Sequence, residues 1–365
     1  MPRRRLQRVL ATAALALTAA TATGGWTFGP HTTIVSGPPP GAGAWRADDS
    51  LGVALPDPQN ASPAEVAAFF AGLGLAQQRD LAARHPLTVG NLDGAPVELR
   101  YEANARAWED AFGTAPEPGR RLLAFDPRGR GTFAEVFGAL PEAERVAVVV
   151  PGMNNDLGTS GTPVTWARNL HRQLARDAPG VPTATIAWVG YTTPDGVGPD
   201  VVTDRLARAG APRLERFLAG LALTAPHADP PAVLCHSYGS VVCGLAAPGL
   251  AAGDLVFIGS PGTRSGTADA LDTDARVWAT RSPADWISAI PNVSVLGLGH
   301  GTDPTDPAYG ARVVTSADVG SHGGYAEPGT DALRNFSAIT LGAPELISCA
   351  PNSPECSDAS DATVR

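Results

Sequence analysis

An α/β architecture on a mainly parallel sheet is what this 365-residue chain predicts, and three observations predict it. After Gly119, short apolar runs alternate with helical stretches, the order that builds a parallel sheet with helices on both faces. The runs are apolar almost throughout, as strands covered on both faces must be. One of them, "AVLCHS", leads through Ser237, Tyr238 and Gly239 straight into a stretch rich in small residues. That strand-turn-helix passage places a polar side chain at the carboxyl edge of the sheet.

In chain order, residues 1–25 combine Arg3, Arg4, Arg5 and Arg8 with an apolar stretch from Val9 to Ala22 that ends in small residues. This is a signal-peptide pattern, with an uncleaved N-terminal anchor as the alternative. Residues 26–61, including "SGPPPGAGA", read as a Pro/Gly-rich linker with little structure. A helical N-terminal region is expected over 62–119, opened by Ser62 as N-cap with Pro63 and Glu65 behind it. A second helical pattern carries Asn104, Ala107, Trp108 and Phe112. The α/β domain is expected over 120–345, with strands at "RLLAFDP", "RVAVVVPG", "TATIAWVGY", "AVLCHS", "DLVFIGSPG", "RVWATRS" and "ARVVTSA". Helices are expected at Thr165 to Ala175, Val201 to Leu223 and Ser240 to Ala247. Residues 346–365 read as a polar tail.

Net charge is −9, and the basic residues are all arginine and scattered, which argues against nucleic acid as a partner. Export would expose four cysteines to an oxidising compartment. Cys349 and Cys356 bracket a short polar loop and read as a local disulfide. Cys235 and Cys243 fit either a clamp across the elbow or two buried thiols, because disulfide geometry is strict.

The chemistry centres on Ser237. Gly239 supplies the second glycine of a G-x-S-x-G elbow, and Cys235 stands where the first would be. The ordinary alternative is a serine that merely caps the following helix. Asp285, just beyond "RVWATRS", is placed to orient an imidazole from a loop, or else to cap the helix near Trp286; Asp303 and Asp306 are alternatives. His322, after "ARVVTSA" and beside glycines, is the expected base, with His300 as competitor; His236 is expected to point away from the serine's side. An oxyanion hole would use the backbone N–H groups of Tyr238 and Met153, with Asn154 the nearest alternative to Met153.

With these segments in view, the chain resembles the actinobacterial alpha/beta hydrolases long catalogued as a domain of unknown function. The likeness covers roughly Ser62 to Gly342 and includes "HPLTVGNLDGAPVELRYEAN", "VAVVVPGMNNDL", "AWVGYTTPDG", "CHSYGSVVCG", "HGTDPTDPAYGAR" and "SHGGYAEPGTDALRNFSAITLG". The resemblance implies an alpha/beta-hydrolase fold with Ser237, Asp285 and His322 at the matching positions. Two departures stand out. The family usually has glycine at the position of Cys235, and a His-Ser-x-Tyr-like segment at His322-Gly323-Gly324-Tyr325.

The expected function is therefore a secreted serine hydrolase that cleaves a carboxylic ester or related acyl bond of a small-molecule or lipid-like substrate. An acyltransferase with the same triad, or a non-catalytic binding protein on the same fold, are the alternatives. No metal or organic cofactor is required; "HGTDPTDP" reads as a structural turn and not a calcium loop. Little room exists for a lid between "DLVFIGSPG" and "RVWATRS", so access is expected to be shaped by the N-terminal helical region or the loop from Thr193 to Pro199. No stable membrane span is expected once the signal is cleaved.

Overall fold

The computed structural model describes residues 31–294, 297–351, 353 and 356, so the leader expected over 1–25 lies outside the described residues. Ser62 caps its helix as its neighbours predict: its hydroxyl accepts from Glu65 N–H, and the Glu65 carboxylate accepts from Ser62 N–H. The helices of this region are α1 (Ala42–Arg46), α2 (Pro63–Ala71), α3 (Leu75–Arg84), α4 (Pro86–Gly90) and α5 (Val97–Phe112). Phe70, Leu81, Val89 and Leu99 close a small core among them.

Trp45 joins that core fully buried, and its indole N–H donates to Pro56 O at 2.7 Å. The stretch expected as an unstructured linker is thus packed along part of its length. Its proline and glycine content pointed to a flexible chain, but one large aromatic buries enough surface to fix the backbone around it.

Eight strands form one sheet in the order β1-β2-β4-β3-β5-β6-β7-β8. They are β1 (Arg121–Asp126), β2 (Thr132–Gly138), β3 (Arg145–Val150), β4 (Thr183–Val189), β5 (Ala232–His236), β6 (Asp254–Ile258), β7 (Arg276–Thr280) and β8 (Arg312–Val313). From β4 to β8 every pairing is parallel; β2 is antiparallel to both β1 and β4. The sequence did not announce β2, because Glu135 interrupts its apolar run. Glu135 is tolerated inside because Arg120 pairs with it at 3.0 Å. β8 is shorter than "ARVVTSA" suggests, for Thr315 N–H leaves the ladder and donates to Ser348 O. The start of the polar tail is held here too, by a bridge between Val314 and Cys349 and by the Cys349–Cys356 disulfide.

Helices α6 (Gly161–Asp177), α7 (Pro199–Val202), α8 (Arg205–Thr224), α9 (Gly239–Ala246) and α10 (Asp331–Leu341) complete the fold. The helix expected from Val201 to Leu223 is broken at 203–204, so α7 is a separate turn. The alternation of strand residues sorts the two layers. Val146, Val148, Val233 and Cys235 face α8 and α9, while Ala147, Val149 and Leu234 face α6 and α10. Both faces are therefore covered, which is why the central strands contain so little that is polar.

Candidate active site

Strand order reverses at β3, whose neighbours are β4 on one side and β5 on the other. A crevice opens outside the carboxyl ends of strands at such a switch point. Ser237 follows β5 there, and the 151–156 loop follows β3.

Ser237 lies between His236, the last residue of β5, and α9, with φ +53°. A non-glycine residue held in this region costs about 1–3 kcal/mol and persists only where its surroundings force it. Here Ser237 N–H donates to Ile258 O at 2.9 Å, Ser240 N–H donates to Ser237 O at 2.9 Å, and the Ser240 hydroxyl donates to Cys235 O at 3.0 Å. Gly239 has a steric reason: a Cβ there would stand 2.5 Å from Val150 O. Cys235 is bonded to Cys243, which decides the open question in favour of a clamp. The two Cα atoms are 6.3 Å apart. That separation is one a disulfide spans, so the bond ties the end of β5 to the helix that follows the serine.

The 151–156 loop is pinned from three sides. Tyr191 donates its hydroxyl to Pro151 O at 2.7 Å, Asn154 N–H donates to Pro194 O at 2.9 Å, and Asn155 Nδ2 donates to Met153 O at 2.7 Å. Asn154 takes the left-handed conformation at φ +59°, and its side chain accepts from Gly196 N–H, so Asn154 shapes the loop. Its own N–H is thereby spent. The N–H groups of Met153 and Tyr238 donate to no protein acceptor among the described residues. A Cβ on Gly152 would lie 3.0 Å from Ser237 Oγ, so this loop and the serine are immediate neighbours.

Asp285 and His322 come together although 37 residues separate them. His322 Nδ1 lies 2.8 Å and 2.9 Å from the two carboxylate oxygens of Asp285. Asp285 is 1% exposed and also accepts from Ile287 N–H at 2.9 Å, so the helix-capping role and the imidazole contact coexist. Burial alone would raise the carboxyl's pKa; the bonds from His322, Tyr325 and Ile287 outweigh it and hold the pKa below its ordinary value. An ionised Asp285 accepts the hydrogen bond from Nδ1–H, which keeps the proton on Nδ1 and leaves the lone pair at Nε2. His322 Nε2 is buried and unpartnered, and it does not hydrogen-bond Ser237 Oγ in this arrangement. Contacts of this kind commonly tighten only around a substrate. Gly259 packs under the pair: a Cβ there would stand 2.7 Å from Asp285 Oδ2 and 3.3 Å from the His322 ring.

His300 is elsewhere. Its Nε2–H donates to Val201 O at 2.8 Å and its ring meets Tyr238 edge-on. Asp303 pairs with Arg281 and turns back on Thr305, and Asp306 caps a helical turn at Ala308 N–H. None of the three joins the His322–Asp285 pair.

Two supporting residues escaped the sequence reading. Tyr325 donates its hydroxyl to Asp285 Oδ2 at 2.6 Å while accepting from Ser282 N–H at 3.0 Å. His236 does point away from the serine's side, and there its Nε2–H donates to His322 O at 2.8 Å, ring against ring at 4.5 Å. The only available signal was that one lies three residues after His322 and the other just before Ser237; neither position says what the side chain reaches.

A sheet of this order, with a serine at positive φ on a strand-to-helix turn at its switch point, defines the class by fold: an α/β-hydrolase architecture. Residues 126–295 match the family model described as alpha/beta hydrolase. The chain is 36% identical over 184 residues to the uncharacterized protein Rv0963c of Mycobacterium tuberculosis, covering 47% of this chain and 68% of that protein. It is 28% identical over 377 residues to the uncharacterized protein Rv2079 of the same organism, covering 80% of this chain. The match spans only 57% of the length of Rv2079. Among solved structures, an α/β serine hydrolase without lid from Xanthomonas campestris aligns with 65% of this chain and 99% of its own, at 16% identity and a TM-score of 0.38. The chain belongs to the alpha/beta hydrolase family, and that membership supports a hydrolase-type function.

Proposed function

We propose that the protein is an exported serine hydrolase that cleaves carboxylic esters or related acyl bonds with Ser237, His322 and Asp285. The observation that carries this reading is the positive φ of Ser237 at the carboxyl end of β5, a strain with no purpose in a serine that only caps a helix. Ser237 Oγ attacks the acyl carbon while its proton passes to His322 Nε2. The Met153 and Tyr238 N–H groups receive the oxyanion, and Asp285 steadies the imidazolium. Collapse breaks the bond from the acyl carbon to the leaving oxygen, which takes the proton from His322 and departs as the alcohol. Water then gives a proton to His322, attacks the acyl-enzyme, and frees the acid as Ser237 recovers its proton. Export is supported by the N-terminal charge and apolar pattern and by two disulfides. No helix among the described residues is long and apolar enough to cross a membrane.

The test is labelling with a fluorophosphonate followed by intact-mass measurement. Wild type should carry one adduct and Ser237→Ala none. Labelling that survives the loss of Ser237 would falsify the assignment.

A further inference from the structure

Six of the eleven large apolar side chains that stand exposed among the described residues lie in two segments beside the elbow: Val197 and Val202 after β4, and Trp286, Ile290, Val293 and Leu298 after β7. Named bonds place both segments against the site. Gly196 N–H donates to Asn154 Oδ1 in the loop that carries Met153. Further along, Thr203 O accepts from the Tyr238 hydroxyl. Gly299 N–H donates to Val202 O and His300 Nε2–H to Val201 O, which ties the second segment to the first. Gly301 N–H donates to Val293 O, and the Trp286 ring stands 4.7 Å from that of His322. The segments thus border the serine from the oxyanion loop round to the imidazole.

The sequence adds a second, independent mark. From 286 to 302 the chain has no Asp, Glu, Lys or Arg, although 17% of all its residues are charged. Arginines that flank these segments are paired with carboxylates: Arg205 with Asp200, Arg208 and Arg264 with Asp204, and Arg281 with Asp303. Exposed apolar side chains gathered beside a site mark a surface that meets something apolar. Where unpaired Lys or Arg is missing, the attraction that draws proteins to anionic lipid is missing as well.

We propose that this apolar rim, one of whose two segments carries no charged residue, seats the protein on neutral lipid, so that its substrates are long-chain acyl esters held at a lipid–water interface. The inference rests on the proposed role of Ser237 for its chemistry, but the seating itself does not need the serine. Val197, at 73% exposure, and Trp286, at 52%, are the side chains that would enter the lipid surface first. The Gly299–Val202 and His300–Val201 bonds tie the two segments to each other.

The experiment uses the full chain as wild type, as Ser237→Ala, and as the triple variant Val197→Ser, Ile290→Ser and Leu298→Ser. Sedimentation with dioleoylphosphatidylcholine vesicles measures seating. Turnover of p-nitrophenyl palmitate and p-nitrophenyl butyrate measures selectivity. Wild type and Ser237→Ala should bind the vesicles alike, and the triple variant should bind at least tenfold more weakly. The ratio of palmitate to butyrate turnover should fall at least tenfold in the triple variant. Vesicle binding that the triple substitution leaves unchanged, or binding that appears only after anionic phosphatidylglycerol is added, overturns the proposal. A wild-type dimer that the triple variant converts to monomer, with no vesicle binding, assigns the surface to a second copy and overturns it too. If neither ester is turned over and no fluorophosphonate adduct forms while vesicle binding follows the rim, the hydrolase reading fails and the seating stands. Circular dichroism and melting of the triple variant check that it is folded.

Discussion

His322 touches the residue before Ser237 and His300 the residue after it, and both rings are largely buried. What separates them is the partner of each nitrogen. His322 has a carboxylate on Nδ1 and nothing on Nε2; His300 spends Nε2 on a carbonyl and leaves Nδ1 buried without a partner. Burial first, opposed by the Val201 bond, lowers the pKa of His300, so it stays neutral with its proton committed to that carbonyl. A histidine near a serine is therefore not yet a base. It becomes one when a carboxylate fixes the proton on the far nitrogen and the near nitrogen is kept free.

The largest effect should come from breaking that difference outright. On the proposed reading His322→Ala lowers kcat/KM for p-nitrophenyl butyrate by a factor on the order of 10⁴ or more. His300→Ala should stay within about tenfold and lose about 1–3 kcal/mol of stability through its Val201 bond. Near-normal turnover in His322→Ala together with an inactive but folded His300→Ala would move the base to the 299–303 loop. Asp285→Asn comes next, at roughly 10³-fold, because an amide can accept or donate and so no longer fixes the tautomer or balances the imidazolium. A loss under tenfold would show that Asp285 serves only as the cap of Ile287 N–H.

How far this site was legible follows the same division. The elbow, Asp285 and His322 each sit just beyond an apolar strand, and the sheet turns that chain position into spatial neighbourhood. β2 was hidden because a buried Glu135 breaks the apolar run, and Trp45 because its burial depends on helices distant in sequence. The Cys235–Cys243 clamp remained one of two options, since sequence spacing sets neither Cα separation nor side-chain direction. Tyr325 and His236 act through oxygen atoms of other loops, and no local pattern encodes such a reach.

Tyr325 sharpens the comparison from the carboxylate side. Its hydroxyl is the only side-chain donor to the Asp285 carboxylate besides His322 among the described hydrogen bonds, so Tyr325→Phe should let the Asp285 pKa rise toward its ordinary value. The expected cost is about tenfold in kcat, with KM nearly unchanged, because the residue positions the carboxylate and is not set to touch substrate. The sign follows from the pKa: less stabilisation of the carboxylate means protonation at higher pH, so the Asp285 carboxyl titration, followed by carbon-13 NMR, should lie at a higher pH than in wild type. An Asp285 titration that does not move would reduce Tyr325 to a packing role.

His236 gives the smallest and most specific effect. Burial first, then the neighbouring His322, pushes its pKa down to about 3, so it is neutral in the folded protein over the range where an unfolded histidine charges. Between about pH 6.5 and about 3 the unfolded chain therefore binds the extra proton, and stability must fall as pH falls through that window. The slope contributed by this one group is at most about 1.4 kcal/mol per pH unit. The upper part of the window, from 6.5 to 5, is the informative one, because Asp285 and the other carboxylates held below their ordinary pKa do not titrate there. His236→Asn removes the titration whatever it costs in baseline stability, so its urea midpoint should depend less steeply on pH over that range than the wild-type midpoint. Turnover should drop only a few-fold, since the bond to His322 O steadies the loop while the Asp285 contact still holds the ring. Parallel stability curves for the two proteins would mean that His236 is already charged in the fold, and a charged ring beside His322 would undo the contrast between the two sides of the elbow.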